Sequence, residues 1–375
     1  MRIGIDLSPL RHSAHRGIGA YARSLLPALE RVASEHEYVL FVPGGVSEVP
    51  YLPRHIQCPI PALPFGRASA LVSNQLLLPR LLQRYRIDIL HVLYVPFNPS
   101  HSLAPLWKRV PLVVTLHDLT PLNAPAILRK WRYRIFYRLA LWQCKRADAL
   151  IVDSETSRQD ALRAGIAPAE RIIVAPLAVP QEPSQRLLHE ATDFQIPPKP
   201  YVLHVGSDDW NKNREGVLRA FARLARTTNL RLVLVGGSSA RLNSLPKELR
   251  HRITHYSWIE RSSLCRLYAG ALVFVFPSRF EGFGLPILEA MSMGTPVVTS
   301  NRGAMKEVAG EAALLVDPER PDAIAAAIRR VVASRTLAEQ LSARGVLRAA
   351  EFTWERTAPA TLAAYMFAAK GSTPA

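Results

Sequence analysis

The chain has 375 residues, 49% of them apolar, enough for two ordinary domains with cores of their own. Lys and Arg outnumber Asp and Glu by 47 to 30, a formal charge of +17. The basic residues are mostly scattered, with no zinc-finger spacing and no aromatic–basic RNA motif, which argues against nucleic acid and leaves phosphorylated substrates or an anionic membrane face. No apolar run approaches the ~20 residues of a membrane span. Cys58, Cys144 and Cys265 are too few and too far apart for a disulfide framework or a zinc site, and they suit a reducing, cytoplasmic compartment.

In chain order, residues 2–7 open directly as a strand, with no secretory leader ahead of them. A loop then leads to Arg16-Gly17-Ile18-Gly19, and from Ala20 the spacing of Tyr21, Leu25, Leu26 and Leu29 predicts a helix. Glycines before a helix permit close backbone approach to a ligand, although such a triplet alone is more often only a turn. Residues 38–42, 87–92, 111–117 and 149–153 read as further strands, and 68–85, 127–146 and 154–164 as helices between them. This alternation predicts a doubly wound parallel sheet. His117 and Asp118 stand at the carboxyl end of one strand, where such sheets keep their ligands. A histidine capping a local turn is the plainer alternative.

Residues 128–146 hold seven Lys or Arg and no acid. On a helical wheel Lys130, Arg134, Arg138 and Lys145 form one stripe, and Trp131, Ile135, Leu139 and Trp142 the next. The apolar stripe can pack on the sheet, and a basic, aromatic face can touch anionic lipid at the cytoplasmic side of the inner membrane; the two readings are compatible.

Residues 176–200 contain six prolines and little periodicity, which marks an interdomain connection. A second series follows: strand 201–205, a polar loop Ser207-Asp208-Asp209-Trp210-Asn211-Lys212-Asn213, a helix, strand 231–235 with Gly236-Gly237, and strand 253–258. Lys212, near a helix start, can add a full charge to the amide dipoles that face a diphosphate. Residues 272–276 are the apolar run of a fully buried parallel strand. After it come Gly282 and Gly284, Pro286 near a first helical position, a helix over 287–293 stopped by Gly294, and strand 296–299. A glycine turn feeding a helix at a strand's carboxyl end is an anion site. Carboxylates at its mouth, Glu281 and Glu289 seven residues apart, would accept hydrogen bonds from hydroxyls. A diphosphate carrying sugars supplies both kinds of partner. Strand 312–317, helices 322–332 and 337–350, and a restart at Phe352-Thr353-Trp354 complete the chain.

The stretch EGFGLPILEAMSMGTPVV resembles the signature of the retaining, nucleotide-sugar-dependent glycosyltransferases of family 4 (glycosyl transferases group 1), and the similarity runs through nearly the whole chain. The resemblance implies the GT-B fold, α/β, with two Rossmann-like doubly wound domains facing across a cleft. It divides the chain into an acceptor-side domain over 1–178, a linker over 179–199, a nucleotide-sugar domain over 200–352, and a terminal helix over 353–375 that crosses back to the first domain. By the same resemblance Glu281 contacts the donor sugar and Glu289 the ribose, and His117 reaches the transfer centre. Gly17 and Gly19 would face the donor phosphate, and the segment at Ile259 would hold the base through its backbone. Lys212 matches a lysine of an Arg-Lys pair whose arginine is here Asn211. Lys212 and the amides of Phe283, Gly284 and Leu285 would carry the leaving diphosphate.

The reading is therefore a hexosyltransferase, mannosyl or rhamnosyl types favoured, acting in cell-surface polysaccharide or lipopolysaccharide synthesis on a glycan or lipid-linked acceptor. It expects no cofactor beyond the donor. With no D-x-D carboxylate pair in the sequence, it also expects no metal. A sugar-nucleotide epimerase shares the fold and remains an alternative. A non-catalytic basic binding protein is the more distant one.

Overall fold

The structure, a computed structural model, describes residues 1–8, 10, 17–44, 46, 49, 55–61, 63, 69–95, 103–106, 110–123, 131–180, 194–239, 242 and 245–371. The chain divides into two compact units, one made of Met1–Pro180 with Trp354–Ala375 and the other of Gln181–Thr353.

The first unit holds seven strands among the described residues: β1 (Arg2–Asp6), β2 (Glu37–Pro43), β3 (His55–Ile60), β4 (Ile89–Val92), β5 (Leu112–Leu116), β6 (Ala149–Val152) and β7 (Ile172–Val174). They pair in the order β3-β2-β1-β4-β5-β6-β7, all parallel. The order reverses between β1 and β4, the switch point outside whose carboxyl ends such sheets bind ligands. β1, β4, β5 and β6 are buried nearly throughout, because helices cover both faces of the sheet. Leu90, Leu112, Val114, Leu150 and Val152 join Phe136, Ala140 and Cys144 in one core.

Strands β3 and β7 are absent from the sequence reading. β3 is an edge strand whose pattern alternates exposed and buried only in part, and β7 has three residues, too short for a period to register. The helix read over 68–85 is two, Ser69–Leu76 and Leu78–Arg84, with Pro79 in the first turn of the second. The glycines read as a loop before a helix at Ala20 are a correction: Gly17 and Gly19 lie inside the first turn of the Gly17–Val32 helix, and Arg16 lies outside the described residues.

The Trp354–Lys370 helix belongs to this unit. Its buried stripe, Trp354, Thr357, Ala358, Thr361, Ala364, Tyr365 and Ala368, follows helical spacing and packs on the Gly17–Val32 helix and on β5 and β6. Trp354 Nε1 donates to the Val179 carbonyl at 3.0 Å, and Thr357 Oγ1 to that of Pro176.

The second unit holds β8 (Tyr201–Val205), β9 (Arg231–Val235), β10 (Ile253–Tyr256), β11 (Val273–Phe276), β12 (Val297–Ser300) and β13 (Ala313–Val316). Their order is β10-β9-β8-β11-β12-β13, again parallel, with the switch between β8 and β11. The second core gathers Val202, Leu232, Leu234, Val273, Val275 and Val298 against Phe221, Ile324 and Ile328. A helix over Gly303–Ala309, unread in the sequence, follows β12. Among the described residues no helix is long and apolar enough to cross a membrane.

Candidate active site

Two clusters of polar side chains stand at strand carboxyl ends, one in each unit. In the second unit the cluster is built on the loops that follow β8 and β11, the pair flanking the switch point. The loop after β8 is held by Arg214, which is 2% exposed. Its Nη1 donates to Asp208 Oδ1 at 2.8 Å and to the Ser238 carbonyl at 3.2 Å, and its Nη2 to the carbonyls of Gly206 and Gly236. Gly236 has φ +93°, and a Cβ there would stand 2.7 Å from the Gly206 carbonyl oxygen, so the close approach of the two loops requires glycine.

Asn213 adopts a left-handed conformation (φ +53°) at the start of the Arg214–Leu224 helix. Its buried amide donates to the carbonyls of Pro277 and Pro318 at 3.0 and 2.7 Å. Asn211, in the place of the family's arginine, donates to the Phe280 carbonyl at 3.2 Å and accepts from the Arg279 amide at 2.7 Å. It therefore ties the loop after β8 to the loop after β11. The same loops carry Lys212 and Glu281, whose Nζ and carboxylate meet two-pronged at 2.8 and 2.9 Å. Both are largely shielded, at 23% and 11% side-chain exposure.

The Leu285–Ser292 helix starts at Gly284, whose φ of +106° is open to glycine at little cost, with Pro286 in the first turn. Phe283 is buried edge-on against Phe352 at 5.7 Å, so its side chain is core and only its backbone is left for a ligand. Pro286 has no N–H and the Ile287 N–H turns back to the Gly284 carbonyl at 2.9 Å, and this end of the helix is the positive end of its dipole. Glu289 lies on the second turn and accepts from Tyr268 Oη at 3.1 Å and from Arg261 Nη1 at 3.3 Å. Burial, reinforced by the Glu289 charge, pushes the Tyr268 phenol well above its usual range, so it stays a donor. Ile259 lies half-buried in the loop after β10. Beneath the site, His204 Nδ1 donates to the Val275 carbonyl at 2.9 Å, and burial lowers its pKa to about 4.

In the first unit the cluster centres on His117. Its Nδ1 is 2.8 Å from Asp153 Oδ2, at the end of β6, and its Nε2 is 3.0 Å from the Leu93 carbonyl, at the end of β4. Tyr21, one turn along the helix that begins at Gly17, packs edge-on against the His117 ring at 4.9 Å. That contact joins His117 to the helix whose first turn holds Gly17 and Gly19. Burial opposes charge on His117, but the Asp153 charge and hydrogen bond, with Asp118 and the Leu93 carbonyl, outweigh it and raise the pKa above 6.5.

Sequence reasoning missed Asp153, Tyr21, Arg214, Arg261 and Tyr268. A signal for Asp153 was present: Asp153-Ser154 ends β6 as His117-Asp118 follows β5, and acids at the ends of parallel strands converge. Tyr268 and Arg261 sit in an ordinary helical pattern and carry no such mark. Among the described residues no group of three or more His, Cys, Asp or Glu side chains is gathered to hold a metal ion.

The Trp131–Arg146 helix turns Phe136, Tyr137, Ala140 and Cys144 inward. Trp131, Ile135, Leu139 and Trp142 are exposed, Trp131 to 72%, so that stripe does not pack on the sheet. With Leu106 and Arg138, three of them line a shallow groove. Lys130 lies outside the described residues.

Comparison with known proteins agrees with this architecture. Residues 15–182 match Glycosyltransferase Family 4, and residues 190–347 match Glycosyl transferases group 1. The chain is 31% identical to the O-antigen chain mannosyltransferase B of Escherichia coli, over 97% of its own length and 99% of the relative's. It is 32% identical to an MMP alpha-(1->4)-mannosyltransferase of Mycolicibacterium hassiacum, over 68% of this chain and 65% of the other. The sucrose-phosphate synthase of Thermosynechococcus elongatus shares the fold, with a TM-score of 0.76 and 24% identity over 99% of this chain and 100% of that one. The chain belongs to the group 1/family 4 glycosyltransferases and has their GT-B fold. It is a transferase enzyme.

Proposed function

We propose that this enzyme moves a hexosyl group, a mannosyl group first among them, from a nucleoside diphosphate sugar to a growing glycan or lipid-linked acceptor in cell-surface polysaccharide or lipopolysaccharide synthesis. The observation that carries the reading is the Lys212–Glu281 pair at the β8/β11 switch point, one short turn before a glycine-fed helix N-terminus. The mannosyl preference rests on similarity to two mannosyltransferases.

Transfer breaks the anomeric C–O bond, leaving positive character on the sugar and a departing diphosphate. Lys212 and the amides of Phe283, Gly284 and Leu285 stabilise that diphosphate, an electrostatic contribution that water could not preorganise. Glu281 accepts from sugar hydroxyls and Glu289 from the ribose, while the loop at Ile259 receives the base. Gly17 and Gly19 allow the donor phosphate close to the first helical turn, and His117 aligns the sugar or acceptor. No metal takes part, and the anomeric configuration is retained. Incubation with a panel of sugar nucleotides and lipid-linked acceptors, with and without chelator, tests this. Transfer from a mannosyl donor, insensitive to chelator and giving a product of unchanged anomeric configuration, is the expected result. Epimerised donor formed without acceptor would replace the reading with the isomerase one.

The exposed stripe of the Trp131–Arg146 helix favours a second element, reversible attachment to an anionic membrane face. Trp131, Ile135, Leu139 and Trp142 present apolar surface beside Arg134, Arg138 and Lys145. Each cation near such a surface contributes about 1 kcal/mol. Wild-type protein should sediment with anionic but not neutral vesicles and be released by salt. Changing Lys130, Arg134, Arg138 and Lys145 to Gln should abolish sedimentation, and retention by that variant would exclude the helix as the attachment surface.

A further inference from the structure

Two histidines lie close together in the first unit, His91 on β4 and His117 just after the neighbouring β5, and their partners differ in kind. His91, on β4, is fully buried; its Nδ1 is 2.8 Å from Tyr365 Oη and its Nε2 2.8 Å from Thr115 Oγ1. A hydroxyl donates or accepts as needed, so a neutral ring satisfies both contacts. His117 has no such freedom. Leu93 offers a carbonyl, which only accepts, and Asp153 offers a carboxylate. With Asp153 ionised, a neutral imidazole, which has one N–H, would turn a lone pair toward one of these oxygens; only a proton moved onto the carboxylate would relieve that.

Asp153 has the complementary need. It is 1% exposed, its Oδ2 bonds His117, and its Oδ1 has no hydrogen-bond partner. A carboxylate taken so far from water is costly unless an opposite charge lies against it. We infer that His117 is held as an imidazolium by Asp153 and the Leu93 carbonyl, and that it serves transfer as a fixed cation instead of a proton acceptor. Asp153 is then the positioning residue of the site, and both ring N–H groups are spent on the protein. The cation pins the carboxyl ends of β4, β5 and β6 to one another. This rests on the transferase reading only for its catalytic consequence; the charge state stands on the geometry.

The groups facing the ring agree with this. Asp153 approaches from β6 and Asp118 from the residue after His117, both anionic partners that favour the charged ring. Tyr21 and Tyr94 pack against it as neutral phenols, burial holding both above their usual range. His91 is lowered to about 3 by burial and then by the charge of His117, and so stays neutral. Burial also raises the pKa of Asp153, so its carboxylate is the one base against the ring that competes for the proton, and the His117 charge and hydrogen bond oppose that rise.

The test uses the whole protein labelled with 15N-histidine. Two-bond 1H–15N correlation at pH 7 should show His117, assigned by its loss in His117→Gln, with both nitrogens protonated. A wild-type His117 with one unprotonated nitrogen at that pH overturns the inference, whatever any variant does. In Asp153→Asn the midpoint of its titration should fall by more than one pH unit, and in Asp118→Asn by less. The alkaline limb of kcat/KM should move to lower pH with the same midpoint in Asp153→Asn. If instead Asp153→Asn lowers kcat equally at every pH and leaves the His117 titration unmoved, Asp153 is structural only and the inference fails. Failure to find a donor would defeat the proposed function while leaving the resonance result intact.

Discussion

The cation proposed for the diphosphate is already engaged within the protein, since Lys212 Nζ contacts both Glu281 oxygens at 2.8 and 2.9 Å. Hydrogen bonds to charged groups contribute roughly 1.5–3 kcal/mol net. Both side chains are less than a quarter exposed, so solvent screens this pair less than a surface bridge. A donor diphosphate must replace that interaction, and Glu281 is compensated only when sugar hydroxyls take over its acceptor sites. Glu281→Gln should therefore split two quantities that a simple contact residue would move together. Bare nucleoside diphosphate, which has no sugar for residue 281 to hold, should bind about 5–20-fold tighter, equivalent to about 1–2 kcal/mol at 1.4 kcal/mol per tenfold. Sugar transfer should fall at least about tenfold in kcat/KM. Lys212→Met should weaken the same diphosphate by roughly 10–100-fold from the loss of one charged contact. Titration calorimetry with a panel of bare nucleoside diphosphates reads both variants. If Glu281→Gln weakens the diphosphate as Lys212→Met does, the competition between carboxylate and diphosphate for Lys212 is refuted.

Glu289→Ala should weaken nucleoside, nucleoside diphosphate and sugar nucleotide alike, by about tenfold, the scale of one charged hydrogen bond; unchanged nucleoside affinity would remove the ribose assignment. Gly236→Ala should destabilise the protein by about 2 kcal/mol or more, because φ is +93° and the new Cβ would meet the Gly206 carbonyl at 2.7 Å, and a wild-type melting curve would contradict this. His204 is buried neutral with a pKa lowered to about 4 against about 6.5 unfolded, so the unfolded chain binds the extra proton as pH falls below 6.5. Urea unfolding of the second unit should lose about 2 kcal/mol between pH 8 and pH 5 from this group, and His204→Asn should remove that slope. The His117 contribution has the opposite sign, present below pH 6.5 and lost as pH rises through its raised pKa. His117→Gln should thus cost less stability at high pH than at pH 6, and an equal loss at both would contradict the charged ring.

The buried parallel strands were legible because each is a short unbroken apolar run. β8 and β9 fall where residues 201–205 and 231–235 read as strands, and β11 lies within 272–276. The Gly284–Pro286 helix start was legible for a related reason: backbone chemistry at a turn depends on residue type alone. The alternation of elements in the first half of the chain implied one doubly wound sheet, and the family resemblance supplied the second. What periodicity cannot carry is partnership between distant residues. Asn211 reads as a missing arginine, yet its amide ties two loops across 69 residues. Lys212 and Glu281 read as separate contacts, and folding makes them one ion pair. The apolar stripe from Trp131 to Trp142 had two readings, and only the packing of Phe136, Ala140 and Cys144 on the sheet decided which face of the helix meets water. His117 was visible as a residue at a strand end. Its charge was not, because protonation depends on which atoms face each ring nitrogen, and those come from the ends of β4 and β6, brought beside β5 only by the order of the sheet.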